Sequence, residues 1–202
     1  GNFLGNKRLP MLIVENEKIL NNSNQFSASA AAIRGFSIFG KDKCFILDEY
    51  YQIDQKKIDS FLKKYKNEKI LIFGFTFQIW KSLIKNKNFK INNKCIVLHG
   101  GGWKKMQNIS VNNMKFKKFV RDKINAEKII DYYGMVEQIG SIFMECEKGF
   151  FHCSNLSDIL IRNEKLDILP NKQLGIIQMM SLLPWSYPGH NILTEDLGTI
   201  HG

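Results

Sequence analysis

Three short stretches of this 202-residue chain bring together residue types that can do chemistry. The first is His99-Gly100-Gly101-Gly102-Trp103-Lys104, directly after the apolar run Lys94–Leu98. Consecutive glycines let the backbone come within contact distance of a flat ring or a phosphate and free N–H groups to donate. The same run also serves as a plain strand exit at positive φ, and it lacks the Gly-Lys-Ser/Thr ending of a Walker loop. The second is Tyr133-Gly134-Met135-Val136-Glu137, after the apolar run Ala126–Asp131. There an aromatic ring can stack on a base, a glycine can open the backbone, and a carboxylate can hold a divalent cation beside substrate phosphates. A turn followed by a surface glutamate has the same spacing. The third is Thr194-Glu195-Asp196-Leu197-Gly198, whose adjacent acids can accept hydrogen bonds from ribose hydroxyls, although acids and glycine are also ordinary turn chemistry.

Elements must hold these stretches in place, and hydrophobic periodicity says which. Apolar runs at Pro10–Glu15, Cys44–Leu47, Lys69–Phe73, Lys94–Leu98 and Ala126–Asp131 read as buried strands. Helical patterns lie between them. Gln25–Phe39 is alanine-rich, with Ile33, Phe36 and Phe39 on one face, and ends near Gly40. Asp54 caps a helix burying Ile58, Phe61, Leu62 and Tyr65. Thr76 is expected to cap a helix burying Phe77, Trp80, Leu83 and Ile84. A fourth helix runs from about Asn113 to Ile124 and buries Phe116, Phe119, Val120 and Ile124. Strand and helix in alternation imply an α/β fold with a mostly parallel, helix-covered sheet. After Gly140 short strands follow one another, at Ser141–Cys146, Gly149–Cys153, Asp158–Arg162, Gly175–Leu182 and Asn191–Thr194. This part reads as antiparallel β structure. The organisation is thus 1–140, an α/β part, and 141–202, a β-rich part expected to pack on it. In an open parallel sheet ligands bind beyond the carboxyl ends of strands, where the first two stretches fall.

Composition narrows the alternatives. Lys and Arg number 29 against 19 Asp and Glu, a net charge of +10, while 44% of residues are hydrophobic. That is globular usage, and it excludes wholesale disorder. No apolar run reaches the roughly 18–20 residues of a membrane span. Residues 1–140 carry net +13 and residues 141–202 net −3. A basic body that handles an anion is one reading, and a lysine-rich solvated surface is the other. Only Arg8, Arg34, Arg121 and Arg162 are arginines, and the lysines accompany heavy use of Asn and Ile, so nucleic acid is not an expected partner. A non-catalytic module that binds a polyanion through Lys104, Lys105, Lys115, Lys117, Lys118 and Arg121 is kept as a competing class. Cys44, Cys95, Cys146 and Cys153 form no CxxC pair, as expected of reduced thiols in a cytoplasmic protein. Cys146, His152 and Cys153 fit no usual zinc spacing.

Taken in order, the three stretches resemble the motifs of the adenylate-forming enzymes, the acyl- and aryl-CoA synthetase and luciferase superfamily. The narrower resemblance is to the LuxE-type acyl-protein synthetases. It is carried by RGFSIFG at 34–40, HGGGWK at 99–104, YGMVEQIG at 133–140, and LPWSYPGH at 183–190 leading into ILTEDLG at 192–198. The resemblance implies the fold of the large domain of such enzymes, with ATP and Mg2+ as cofactors. It implies that Gly101 and Gly102 lie in the adenine loop, that Tyr133 packs on adenine beside Gly134, that Asp196 binds the ribose hydroxyls and that Glu137 binds magnesium. Val136 stands where the family has threonine. The implied activity is that of an acid–thiol ligase: ATP-dependent activation of a carboxylic acid, a fatty acid in the narrower resemblance, as acyl adenylate, then transfer to a protein thiol. An acyl- or aryl-CoA ligase differs only in its acceptor. The implied partners are the acid and an acyl-accepting or reductase protein. The superfamily's Ser/Thr/Gly-rich phosphate loop is not found among these residues, nor is the C-terminal subdomain. The chain is therefore expected to be a central piece that is inactive alone, with no catalytic residue or acyl-accepting cysteine assigned.

Overall fold

The computed structural model describes residues 7–21, 27–86, 89–103, 111–138, 140–185 and 188–202. Its contacts divide it into two compact units, Gly1–Asp131 and Tyr132–Gly202. In the first, β1 (Leu9–Asn16), β2 (Gly40–Leu47), β3 (Ile70–Phe75), β4 (Ile91–Gly100) and β5 (Ile124–Tyr133) lie in the order β2-β1-β3-β4-β5. β1 runs parallel to β2 and β3, and β3 runs parallel to β4. Helices cover such a sheet on both faces, so its strands are apolar without alternation. Accordingly Met11, Leu12, Ile13, Leu71, Phe73, Val97 and Leu98 are all fully buried.

Helices α1 (Ala28–Phe36), α2 (Gln55–Lys64), α3 (Thr76–Lys85) and α4 (Asn113–Lys123) fill the crossovers. The Asp54 side chain accepts from the Lys57 N–H at 3.1 Å and caps α2, which buries Ile58 and Phe61. Asn112 caps α4 in the same way through the Lys115 N–H, and Phe116 and Val120 turn inward. Trp80 of α3 meets Phe119 of α4 with ring centroids 4.5 Å apart and Phe116 at 6.2 Å.

Three expectations are corrected here. The Gln25–Phe39 helix is shorter, with Ser27 as its cap and a 3-10 turn at Ser37–Phe39. Gln25 and Phe26 lie outside the described residues, and Phe39 is half-exposed with Ile38 beside it rather than buried. Ile84, expected inside, is exposed, because it falls on the solvent side of the last turn of α3. Thr76 does not cap α3. Phe75 holds the cap position with no side-chain bond, and the Thr76 hydroxyl is used elsewhere.

In the second unit the end of β5 pairs antiparallel with β6 (Phe143–Glu145) through Tyr132 and Tyr133. β6 pairs antiparallel with β7 (Phe151–His152) across a turn in which Gly149 has φ +83°. A second sheet holds β8 (Ser157–Arg162), β9 (Gly175–Ser181) and β10 (Asn191–Gly198), all antiparallel with β9 central. Ile161 and Met179 form its inner face. A Cβ on Gly175 would stand 2.4 Å from the Arg162 carbonyl oxygen, so only glycine fits between these strands. The antiparallel β-rich part is as expected, except that β10 runs on through Glu195 and Asp196 where a turn was expected.

Candidate functional site

The glycine run closes β4 in the first unit. Gly101 has φ +75°, the left-handed region that disfavours any side chain, and a Cβ there would press on the Phe75 ring at 3.1 Å. The positive-φ exit expected from the sequence is therefore real at Gly101. Gly102 differs: a Cβ there would meet nothing within 4 Å. The fold itself makes no steric demand for glycine at this position. Trp103 packs edge-on to Trp80 at 5.6 Å and to Phe116 at 6.3 Å, joining the α3–α4 core. Lys104 and Lys105, named for anion binding, lie outside the described residues.

Immediately before the run stands a polar group to which sequence reasoning gave no role of its own. His99 is 1% exposed, inside an otherwise apolar strand end. Its Nδ1 is 3.0 Å from the Thr76 Oγ1 and 3.7 Å from the Asp131 Oδ1. Thr76 also donates to the Gly100 carbonyl at 3.2 Å. The imidazole lies against Phe116, centroids 4.5 Å apart. Burial, with Lys117 adding repulsion, drives its pKa down to about 3 and outweighs the pull of the Asp131 carboxylate. His99 is neutral at physiological pH. The available signal was a histidine at the end of a buried run, with a threonine opening the preceding helix.

The second unit builds its site around Tyr133 and Asp196, which are 63 residues apart in sequence. The Tyr133 hydroxyl donates to the Asp196 Oδ2 at 2.6 Å. An irregularity in β10 aims the carboxylate. Leu193 pairs with Gln178 and Leu197 with Ile176, so Thr194, Glu195 and Asp196 together stand opposite Ile177. Thr194 is buried and donates to the Ile177 carbonyl at 2.8 Å, while its Oγ1 accepts from the Asp196 N–H at 3.1 Å. A bulge pinned in this way re-aims a side chain without ending the strand. Burial, and then the neighbouring Asp196 carboxylate, push the Tyr133 phenol well above its ordinary pKa. The Tyr133 ring packs against Phe143 at 6.1 Å and Phe151 at 6.4 Å.

Gly134 follows, exposed, where a Cβ would stand 3.2 Å from the Ser141 carbonyl oxygen. Glu137 is exposed on a 3-10 turn, Val136–Gln138. That turn is tied down by Gln138, which is fully buried and donates to the carbonyls of Met179 (3.3 Å) and Gly189 (2.9 Å). Ser186 and Tyr187, part of the SYPGH stretch, lie outside the described residues.

Among the described residues no cluster of three or more His, Cys, Asp or Glu is arranged to hold a metal ion. A lone carboxylate such as Glu137 suits magnesium only together with substrate phosphates. Cys146 and His152 are diagonal neighbours on one face of the β6–β7 hairpin, and the histidine holds the thiol down at about 7. An open groove of about 550 Å³ lies beside β2 and α2, but it contains none of the candidate residues. Its Asp42 is already engaged by Lys64 at 2.9 Å and by the Tyr65 hydroxyl at 2.7 Å. No described helix is long and apolar enough to cross a membrane.

Solved structures share this fold at low identity. ATP-bound MatB from Rhodopseudomonas palustris aligns with 96% of this chain and 38% of its own, at TM-score 0.57 and 14% identity. The N-terminal subdomain of NpsA from Klebsiella oxytoca, in complex with 3-hydroxyanthranilyl-AMSN, covers 97% and 51%, at TM-score 0.55 and 13% identity. A curated relative from Aliivibrio fischeri, long-chain-fatty-acid–luciferin-component ligase, is 27% identical over 159 residues. That match takes in 74% of this chain, which spans 42% of the relative's length. The family described as "Acyl-protein synthetase, LuxE" matches residues 2–202. The chain belongs to the LuxE acyl-protein synthetase family, on a mostly parallel α/β sheet with an added antiparallel sheet, the fold of adenylate-forming enzymes.

Proposed function

We propose that this chain is the nucleotide-handling core of an acid–thiol ligase that activates a fatty acid as its acyl adenylate and passes the acyl group to a protein thiol. The observation that carries this reading is the Tyr133–Asp196 pair. Two positions that the resemblance assigns to one nucleotide are joined by a 2.6 Å hydrogen bond within a chain of this family. In this reading Tyr133 offers its ring to adenine and Gly134 gives room beside it. Asp196 keeps its Oδ1 for ribose hydroxyls while Oδ2 is held by Tyr133, since a carboxylate has about four lone-pair sites. Gly101 and Gly102 serve the adenine loop. Glu137 would hold magnesium, which when bound offsets phosphate charge. In the reaction a carboxylate oxygen bonds to the α-phosphorus of ATP as the bond to pyrophosphate breaks. A thiolate sulfur then bonds to the acyl carbon and AMP leaves. The protein's part is positioning and charge stabilisation. Val136 brings no hydroxyl to the phosphate, so that contact falls to other groups.

The test is ATP–pyrophosphate exchange by the full-length protein with a series of carboxylic acids, followed by capture of labelled acyl groups on protein. Exchange that depends on a long-chain acid, with label on a hydroxylamine-sensitive protein thioester, is expected. Absence of exchange with every acid overturns the reading, and label on CoA rather than protein moves it to the CoA ligases.

A further inference from the structure

We infer that His99 is a positioning residue that holds the glycine run in its nucleotide-receiving shape through a relay, His99 to Thr76 to the Gly100 carbonyl. The run's role in nucleotide binding rests on the reading above, but the relay itself is built from geometry inside the first unit.

Proton accounting gives the relay its direction. The Thr76 hydroxyl has one proton, and two acceptors compete for it, the Gly100 carbonyl at 3.2 Å and the His99 Nδ1 at 3.0 Å. If Thr76 gives its proton to Nδ1, the Gly100 carbonyl loses this donor and the imidazole N–H sits on Nε2. That nitrogen is buried without a hydrogen-bond partner. A buried N–H without an acceptor is among the rarest defects in proteins. If instead Nδ1 carries the proton, it donates to Thr76, Thr76 donates to Gly100, and the Asp131 carboxylate at 3.7 Å favours the N–H on that side. Nε2 is then a buried bare acceptor, the milder defect. The second arrangement satisfies every donor in the set.

The consequence falls on Gly100–Gly102. Gly100 is the last residue of β4, paired with Phe75, and Gly101 turns the chain at φ +75°. The relay fixes the carbonyl at the hinge between strand and turn. Gly102 stands one residue further, at a position where the fold itself does not require glycine. A histidine locked by Phe116 and Thr76 thus sets the angle at which the run leaves the sheet. This explains a buried imidazole that touches no proposed reacting atom.

The experiment uses the full-length protein with 15N-histidine labelling and four variants. Long-range nitrogen–proton correlations are expected to show the His99 proton on Nδ1; a proton on Nε2 overturns the relay. T76V and H99Q remove one link each, while T76S and H99N keep a hydroxyl and a donor near Nδ1. Amide hydrogen exchange at Gly101 and Gly102 is expected to quicken about tenfold in T76V and H99Q, the equivalent of one net hydrogen bond, and to stay within about threefold in T76S and H99N. KM for ATP is expected to rise by about the same factor with kcat little changed. Unchanged exchange in T76V, or loss in T76S as large as in T76V, overturns the positioning role. A wild-type protein that binds no ATP refutes the nucleotide reading, while the exchange and tautomer arms still decide whether His99 holds the run.

Discussion

Removing the Tyr133 hydroxyl is the sharpest perturbation of the second unit, because Tyr133→Phe changes one atom and leaves the ring on Phe143 and Phe151. A hydrogen bond to a charged acceptor contributes roughly 1.5–3 kcal/mol. Here Asp196 is exposed and Tyr133 only half-buried, so water takes back part of that and about 1 kcal/mol is the working figure. A double-mutant cycle of Tyr133→Phe with Asp196→Asn isolates the pair by urea unfolding, and coupling of about 1 kcal/mol is expected. An independent signature comes from titration. Because the folded phenol's pKa is raised above its unfolded value near 10, its stabilisation is complete below that value and fades only as pH rises toward the folded one. Tyr133 should therefore be missing from the tyrosinate absorbance change at pH 10–11, and Asp196→Asn should restore part of it. For nucleotide binding, Asp196→Asn is expected to weaken ATP about tenfold by losing a charge-assisted acceptor, and Tyr133→Phe less. Coupling below about 0.3 kcal/mol, together with a Tyr133 that titrates with the other tyrosines, would refute the pair as an energetic unit.

Other outcomes follow from the same structure. Phe116→Ala should cost about 3–5 kcal/mol in urea unfolding, since the ring is 1% exposed between Trp80, Trp103 and His99; a loss under about 1 kcal/mol would mean the α3–α4 core collapses around the gap. The depressed pKa of His99 makes the native state refuse a proton that the unfolded chain takes up below about pH 6.5. Stability should fall by about 1.4 kcal/mol per pH unit between roughly pH 6 and 4 from this group alone, and the slope should flatten by one proton in His99→Gln; equal slopes refute it. Cys146 should react with iodoacetamide at half its limiting rate near pH 7, slowing as pH falls through that value, and His152→Ala should move the midpoint up; an unmoved midpoint denies the pairing.

What was legible in the sequence was whatever depends on neighbours along the chain. β1, β3 and β4 announced themselves because a strand buried on both faces needs an unbroken apolar run. α2 did so because period and cap agree at Asp54, and α4 by its period alone, its Asn112 cap emerging only in the structure. Thr76 misled, since a cap rule sees only the next three residues while its real partner, His99, is 23 residues on and arrives through strand pairing. Asp196 was chosen for its chemistry, but the bulge that delivers it to Tyr133 leaves no periodic trace, because two extra residues keep the alternation in phase and show only in the pairing with β9. Phe39 and Ile84 show the limit of periodicity, which places a residue on a face but not at the end of a helix where that face runs out.

The order of strands in the first unit has a consequence for the ribosome. β1 is made before β2 and β3 and lies between them in the sheet, and the edge that takes Leu71–Phe73 waits about 60 residues for its partner. At roughly 5–20 residues per second that is some 3–12 s in which Met11, Leu12 and Ile13 present an open, apolar strand edge to the cell. Unpaired edges of this kind template aggregation. Lys7 and Arg8, just ahead of it, are the only charges described there to discourage a neighbouring nascent chain. Yield in a heterologous host should therefore depend on translation speed across residues 17–70 and on trigger-type chaperones more than on the stability of the finished fold.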